Sequence, residues 1–110
     1  MYIDVNDIDD ITVVTVDGMI TLGSDIQLSK MFEEQVGRGR TKIVLDMTKV
    51  KYIDSIGMGQ LAGGYAALDE IKGSLVLART NHKINELLKL TGLQNYIKTY
   101  ETVEEAIDAL

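Results

Sequence analysis

The chain has no cysteine, no proline, a single histidine and fewer basic than acidic residues. Without cysteine, neither a disulfide framework nor a thiolate metal site can form, and the redox compartment stays open. Without proline, and with no linker, repeat or low-complexity stretch, nothing marks an internal boundary. The 110 residues are therefore read as one domain, 1–110. Eleven basic against 17 acidic residues give a formal charge of −6, which disfavours sequence-independent nucleic-acid binding, since that needs lysine and arginine on the phosphates. The acids gather in residues 4–10 and 101–108, as a solubility charge or as a complement to a basic partner. No apolar run approaches bilayer length, and the first residues lack the pattern of a signal peptide. The expectation is a cytoplasmic protein with no nucleic-acid and no membrane partner.

What is present is an ordinary globular composition, 45% apolar and 25% charged. It is organised around residues 42–61. Ile43, Val44 and Leu45 form an unbroken apolar run, as in a strand buried on both faces. A short polar connection follows. From Met58 the spacing changes, and Met58, Leu61, Tyr65, Leu68 and Ile71 recur at helical steps. Upstream, residues 11–16 are β-branched throughout and predict a strand. The Asp17-Gly18 pair before Met19-Ile20-Thr21-Leu22 predicts a tight hairpin. Ser24 and Gln27 match a capping box for a helix carrying Leu28, Phe32 and Val36 inward, ended by Gly37 and Gly39.

Downstream, Gly73 precedes a second buried strand at residues 74–78. Asn81 is placed to cap a helix with Ile84, Leu87 and Leu88 on one face and Gly92 at its end. Residues 97–100 make a short edge strand, and Thr102 with Glu105 matches another capping box. Strands and helices alternate after the hairpin, predicting an α/β fold: a mixed, mostly parallel sheet with an N-terminal β-hairpin and about four helices.

Ser55, at the changeover to the central helix, has two readings. One is a helix N-cap, for which serine is well suited. The other is a modification site, because a phosphate there lies against free backbone N–H groups and the positive end of the helix dipole. The surrounding face fits a contact. With Met58, Leu61, Tyr65 and Leu68 inward, Ile56, Gly59, Gln60, Gly63 and Ala67 fall on the outer side, small and uncharged until Glu70. Glycine inside a helix costs up to about 1 kcal/mol relative to alanine. Close approach of another backbone explains it, as does packing of the helix on its own sheet.

The run from Ile43 to Leu61, with Asp46 and Ile53-Asp54-Ser55-x-Gly57-x-Gly59, resembles the STAS domain of bacterial anti-sigma factor antagonists, and the resemblance extends over nearly the whole chain. It implies a partner switch. The unphosphorylated antagonist binds an anti-sigma factor that is also a serine kinase and frees the sigma factor. Phosphorylation of the serine after the aspartate ends binding, and a phosphoserine phosphatase resets it. The phosphoacceptor maps to Ser55, with Asp54 beside it and Gly57 and Gly59 opening the contact helix; joined with the outer face read from the spacing, the expected partner-binding positions are Asp54, Ser55, Ile56, Gly57, Gly59, Gln60 and Gly63. Two departures stand out. Ile56 replaces the frequent second hydroxyl, and Gly18-Met19-Ile20-Thr21 lacks the acid that often follows the hairpin glycine.

Rival readings are less well supplied. A nucleophile elbow needs glycine two residues before the serine, where this chain has Ile53. His82 is unsupported by any second catalytic residue in sequence. Asp46 is expected to bond loop amides, and no lysine completes a phosphate loop after Gly57-Met58-Gly59. The reading is a non-enzymatic module without cofactor or metal. Its alternative is a STAS scaffold that regulates a larger signalling or transporter complex without switching.

Overall fold

The computed structural model describes residues 1–110, with the side chain of Asp25 outside the description. In chain order the elements are β1 (Tyr2–Ile8), β2 (Ile11–Ile20), α1 (Asp25–Gly37), β3 (Lys42–Ile53), α2 (Ser55–Glu70), β4 (Ser74–Ala78), α3 (His82–Leu90), a 3₁₀ turn (Leu93–Asn95), β5 (Thr99–Tyr100) and α4 (Val103–Asp108). The five strands form one sheet in sequence order. β1 is antiparallel to β2, and every other pairing is parallel. The α/β architecture, its mixed sheet, N-terminal hairpin and four helices are as the sequence predicts.

Strands that succeed one another in one direction through right-handed crossovers place their connecting helices on a single face. The main core lies there. Val14, Val16, Ile43, Leu45, Leu75 and Leu77 project from the sheet against Leu28, Phe32, Leu61, Leu68, Ile84 and Leu88. On the opposite face Ile11, Val13, Val44, Val76 and Ala78 pack with Ala106 of α4. The central strands are thus buried on both sides, which is why they read as continuous apolar runs.

Four local expectations are corrected. The hairpin turn is not Asp17-Gly18 but Asp9-Asp10, where Asp9 takes a φ of +54°. Aspartate tolerates that conformation. The turn is pinned from afar by Arg40, which donates to the Asp9 and Ile11 carbonyls, and by Lys42 on Asp10 at 3.0 Å. The chain runs straight through Gly18, whose φ of +121° serves a register shift against β3 rather than a reversal. The polar connection after Leu45 is itself strand, since β3 continues to Ile53 beside the second half of β2. The capping box at Ser24 does not form. The Ser24 hydroxyl accepts from the Thr21 N–H at 2.9 Å and faces the Met19 and Thr21 carbonyls instead.

At the end of α2, Ile71 is exposed rather than inward, because the helix stops at Glu70 and Lys72 turns to a φ of +62°. The caps at Asn81 and Thr102 are in place, accepting from the N–H groups of Ile84 at 2.9 Å and Glu105 at 3.0 Å.

Candidate functional site

The start of α2 is held at the C-terminal end of β3, beside the end of β2, by one carboxylate. Asp54, with extended backbone (φ −94°, ψ −177°), is the N-cap, so Ser55 is the first helical residue and not the cap. One Asp54 oxygen accepts from the Gly57 N–H at 2.8 Å, the other from the Leu22 N–H at 3.0 Å. The Asp54 N–H in turn donates to the Ile20 carbonyl at 3.2 Å. One side chain thus ties together the helix start, the end of β2 and the turn into α1. The Gly57 amide, then the Leu22 amide, holds the Asp54 carboxyl below its ordinary pKa, because both stabilise the charged form.

With the cap supplied by its neighbour, the Ser55 hydroxyl makes no hydrogen bond among the described residues and is exposed. Its place in the first turn adds the favourable field of the helix N-terminus for an anion.

The positions named from sequence divide in two. Ser55, Ile56, Gly59 and Gly63 are exposed on one side of α2, with Ala67 continuing the row, and Ile56 exposes 42% of its surface. Nothing lies within 4 Å of where a side chain would start at Gly59 or Gly63. Gln60 is half-buried and accepts from the Ser29 hydroxyl of α1, so it links the two helices. Gly57 is not on the surface. It is buried, and a Cβ there would lie 2.2 Å from the Ile20 carbonyl oxygen and 2.8 Å from Ile53 Cγ2. Gly57 lets the helix start close onto the sheet and offers a partner nothing. Gly64 is likewise internal, against the Phe32 ring.

Sequence reading missed the rest of this face. Met19, Leu22 and Ile26 are 55, 75 and 65% exposed. Leu22 is tethered to Asp54, Met19 is the register partner of exposed Tyr52, and Ile26 is one turn before Ser29 on α1. With Ile56 they are exposed apolar side chains on or beside the segments that the Asp54 and Gln60 bonds tie to α2, and exposed apolar side chains gathered in one region mark an interaction site. Their residue types carry a signal, but residues 19–22 read from sequence as a hairpin strand, and that pattern hides their exposure.

The rival chemical groups stay apart. Asp46 accepts from the Thr48 N–H at 3.1 Å and from its hydroxyl, within β3 rather than in the expected loop, and shares no partner with Asp54. His82 is exposed and pairs with Glu86 at 3.1 Å, one helical turn along. Among the described residues no group of three His, Cys, Asp or Glu could hold a metal ion, and no helix is long and apolar enough to cross a membrane.

Known proteins share this fold. The profile of the STAS domain family matches residues 2–106. A Thermotoga maritima protein, provisionally described as an anti-sigma factor antagonist, is 31% identical over 78 residues, covering 71% of this chain and 69% of that one. The crystal structure of a T. maritima protein so described superimposes with a TM-score of 0.92 at 25% identity, covering 97% of this chain and 92% of the other. SpoIIAA in its unphosphorylated form gives 0.78 at 19% identity, over 98% and 96%, and shares the fold. It has also been solved phosphorylated.

Proposed function

This chain belongs to the STAS domain family, and from that premise we propose that it is an anti-sigma factor antagonist switched by phosphorylation of Ser55. The unphosphorylated protein docks the face around Ser55 on an anti-sigma factor with serine kinase activity, so that the sigma factor is released. Phosphate on Ser55 ends the contact, and a phosphoserine phosphatase restores it. The module acts by binding and carries no catalytic group of its own.

The observation that carries the reading is an exposed serine hydroxyl without a hydrogen bond, in the first turn of α2, on the same side of the helix as exposed Ile56 and the bare Gly59–Gly63 row. Phosphorylation adds nearly two negative charges. In the free protein that charge is solvated and favoured by the helix N-terminus. Inside an apolar interface it would be desolvated beside the Asp54 carboxylate, a large penalty for the complex alone. The fold therefore tolerates the modification while the contact does not. Asp54 leaves the hydroxyl free by taking over the capping role.

The test is a pull-down from the source organism's lysate with wild type, Ser55→Ala and Ser55→Asp as baits, the captured proteins being identified by mass spectrometry. The proposal expects an anti-sigma factor with a serine kinase fold on wild type and Ser55→Ala, and its loss on Ser55→Asp. Equal capture by all three would favour the non-switching scaffold and refute the switch.

A further inference from the structure

A slot of about 230 Å³ opens between the end of β3 and α3, around a turn from the Ser55 face. Ile53 and Ile84 form its buried floor, Tyr52 and Leu90 its walls, and Lys51 and Lys83 stand at its rim. Leu90 is 82% and Tyr52 48% exposed, a large apolar exposure for so small a helix and strand end. Among the described residues neither lysine has an ion-pair partner, although the chain holds 17 acids to 11 bases. The acid at the slot, Glu86, is bonded to His82.

We propose that this slot is a second docking site, for an acidic segment of a partner protein that carries one or two large apolar side chains. The volume lies below the range of about 300–1,000 Å³ in which drug-sized molecules are enclosed, so it suits side chains rather than a whole ligand. The sign of the partner follows from the rim. In a molecule of net charge −6, an acidic segment is favoured only beside unpaired cations, and at this slot two such lysines, against the one carboxylate of Glu86, stand at an apolar floor. The same net charge repels an anionic lipid surface, which would have to face more of the molecule than the slot. Tyr52 is two residues from Asp54 and pairs in register with Met19, so the slot adjoins the Ser55 face without including it. A segment seated there would hold a partner whether or not Ser55 is phosphorylated.

The test uses the full chain and a fluorescein-labelled peptide, Glu-Glu-Asp-Leu-Phe-Asp-Glu-Glu, with binding followed by anisotropy and mapped by amide chemical shifts. Saturable binding is expected, with shifts confined to residues 51–53 and 83–90. Lys51→Glu with Lys83→Glu should weaken it about tenfold, since two exposed pairs become repulsions. Leu90→Ser should weaken it too, whereas Ser55→Asp should leave it unchanged. Both lysines are exposed, and an unchanged melting curve will show that the double variant folds. The proposal is overturned by absence of saturable binding, by shifts at the Ser55 face instead, by equal affinity of the double variant, or by a peptide with Ser-Ser for Leu-Phe binding as well. It is also overturned if the chain co-sediments with phosphatidylglycerol vesicles through the same lysines and ignores the peptide. Loss of the Ser55→Asp effect in the lysate experiment would leave this result untouched, so the two readings fail separately.

Discussion

Two glycines a half-turn apart in α2 should respond to alanine with opposite signs. At Gly57 the new Cβ would meet the Ile20 carbonyl oxygen at 2.2 Å, more than an ångström inside ordinary contact, with Ile53 Cγ2 at 2.8 Å. Neither can step aside cheaply. The oxygen is backbone, already accepting from Asp54, and Ile53 is 1% exposed in the core. The helix start must therefore shift, straining the bond from the Gly57 N–H to Asp54. Overpacking of this kind costs about 1–3 kcal/mol, and the strained cap adds about 1. The gain in helix propensity recovers at most about 1. A net loss of about 1–3 kcal/mol lowers the melting temperature by roughly 5–15 °C in a domain of this size. At Gly59 the added methyl meets nothing within 4 Å, so the propensity term acts alone. Gly59→Ala should stabilise by about 0.5–1 kcal/mol, raising the melting temperature by a few degrees. Urea and thermal unfolding by circular dichroism read both. A Gly57→Ala protein that melts with the wild type would refute the packing account. A Gly59→Ala protein as damaged as Gly57→Ala would refute the claim that Gly59 faces open solvent.

Gly64→Ala should also destabilise, by about 1–3 kcal/mol, because its Cβ would lie 2.4 Å from the buried Phe32 ring. Adding Phe32→Leu should make the pair less damaging than the sum of the two, and strict additivity in urea midpoints would sink the contact. The Asp54 carboxyl is lowered by its two amide bonds, so its contribution is present above the ordinary value of 3.8 and is lost as pH falls through the lower folded value. Asp54→Asn should be less stable than wild type at pH 7, and the gap should close in acid. A gap constant from pH 7 to pH 2 would count against the clamp. Asn81→Ala removes the α3 cap and the 3.3 Å bond to the Val50 carbonyl, and should cost about 1–2 kcal/mol, read as a fall in the urea midpoint with an unchanged slope.

The segments best read from sequence are those whose signal is local. β-branched runs at residues 11–16, the apolar residues 43–45 and 75–77, and the caps at Asn81 and Thr102 express preferences of a few adjacent residues. β1 was hidden because Asp4, Asp7, Asp9 and Asp10 look like a solvated acidic end. Asp7 becomes a strand residue beside Arg38 and Arg40, which arrive some 30 residues later and hold its carboxyl below the ordinary range. The second half of β3 was hidden for a related reason. Its buried residues, Met47, Val50 and Ile53, are three apart, and the register against β2 slips twice along that stretch, so strand alternation is absent.

The sequence by itself determined the class of the fold, the alternation of elements, and the serine at the head of an uncharged, glycine-bearing helix, because periodicity and capping chemistry are properties of short stretches. Only the tertiary structure decided that Asp54 caps in place of Ser55, that Gly57 is internal while Gly59 is bare, and that Leu22, Ile26 and Met19 are left exposed where β2 gives way to α1. Each depends on where the end of β2 and the start of α1 come to rest against α2, and contacts across some 30 residues of chain are set by packing rather than by local preference.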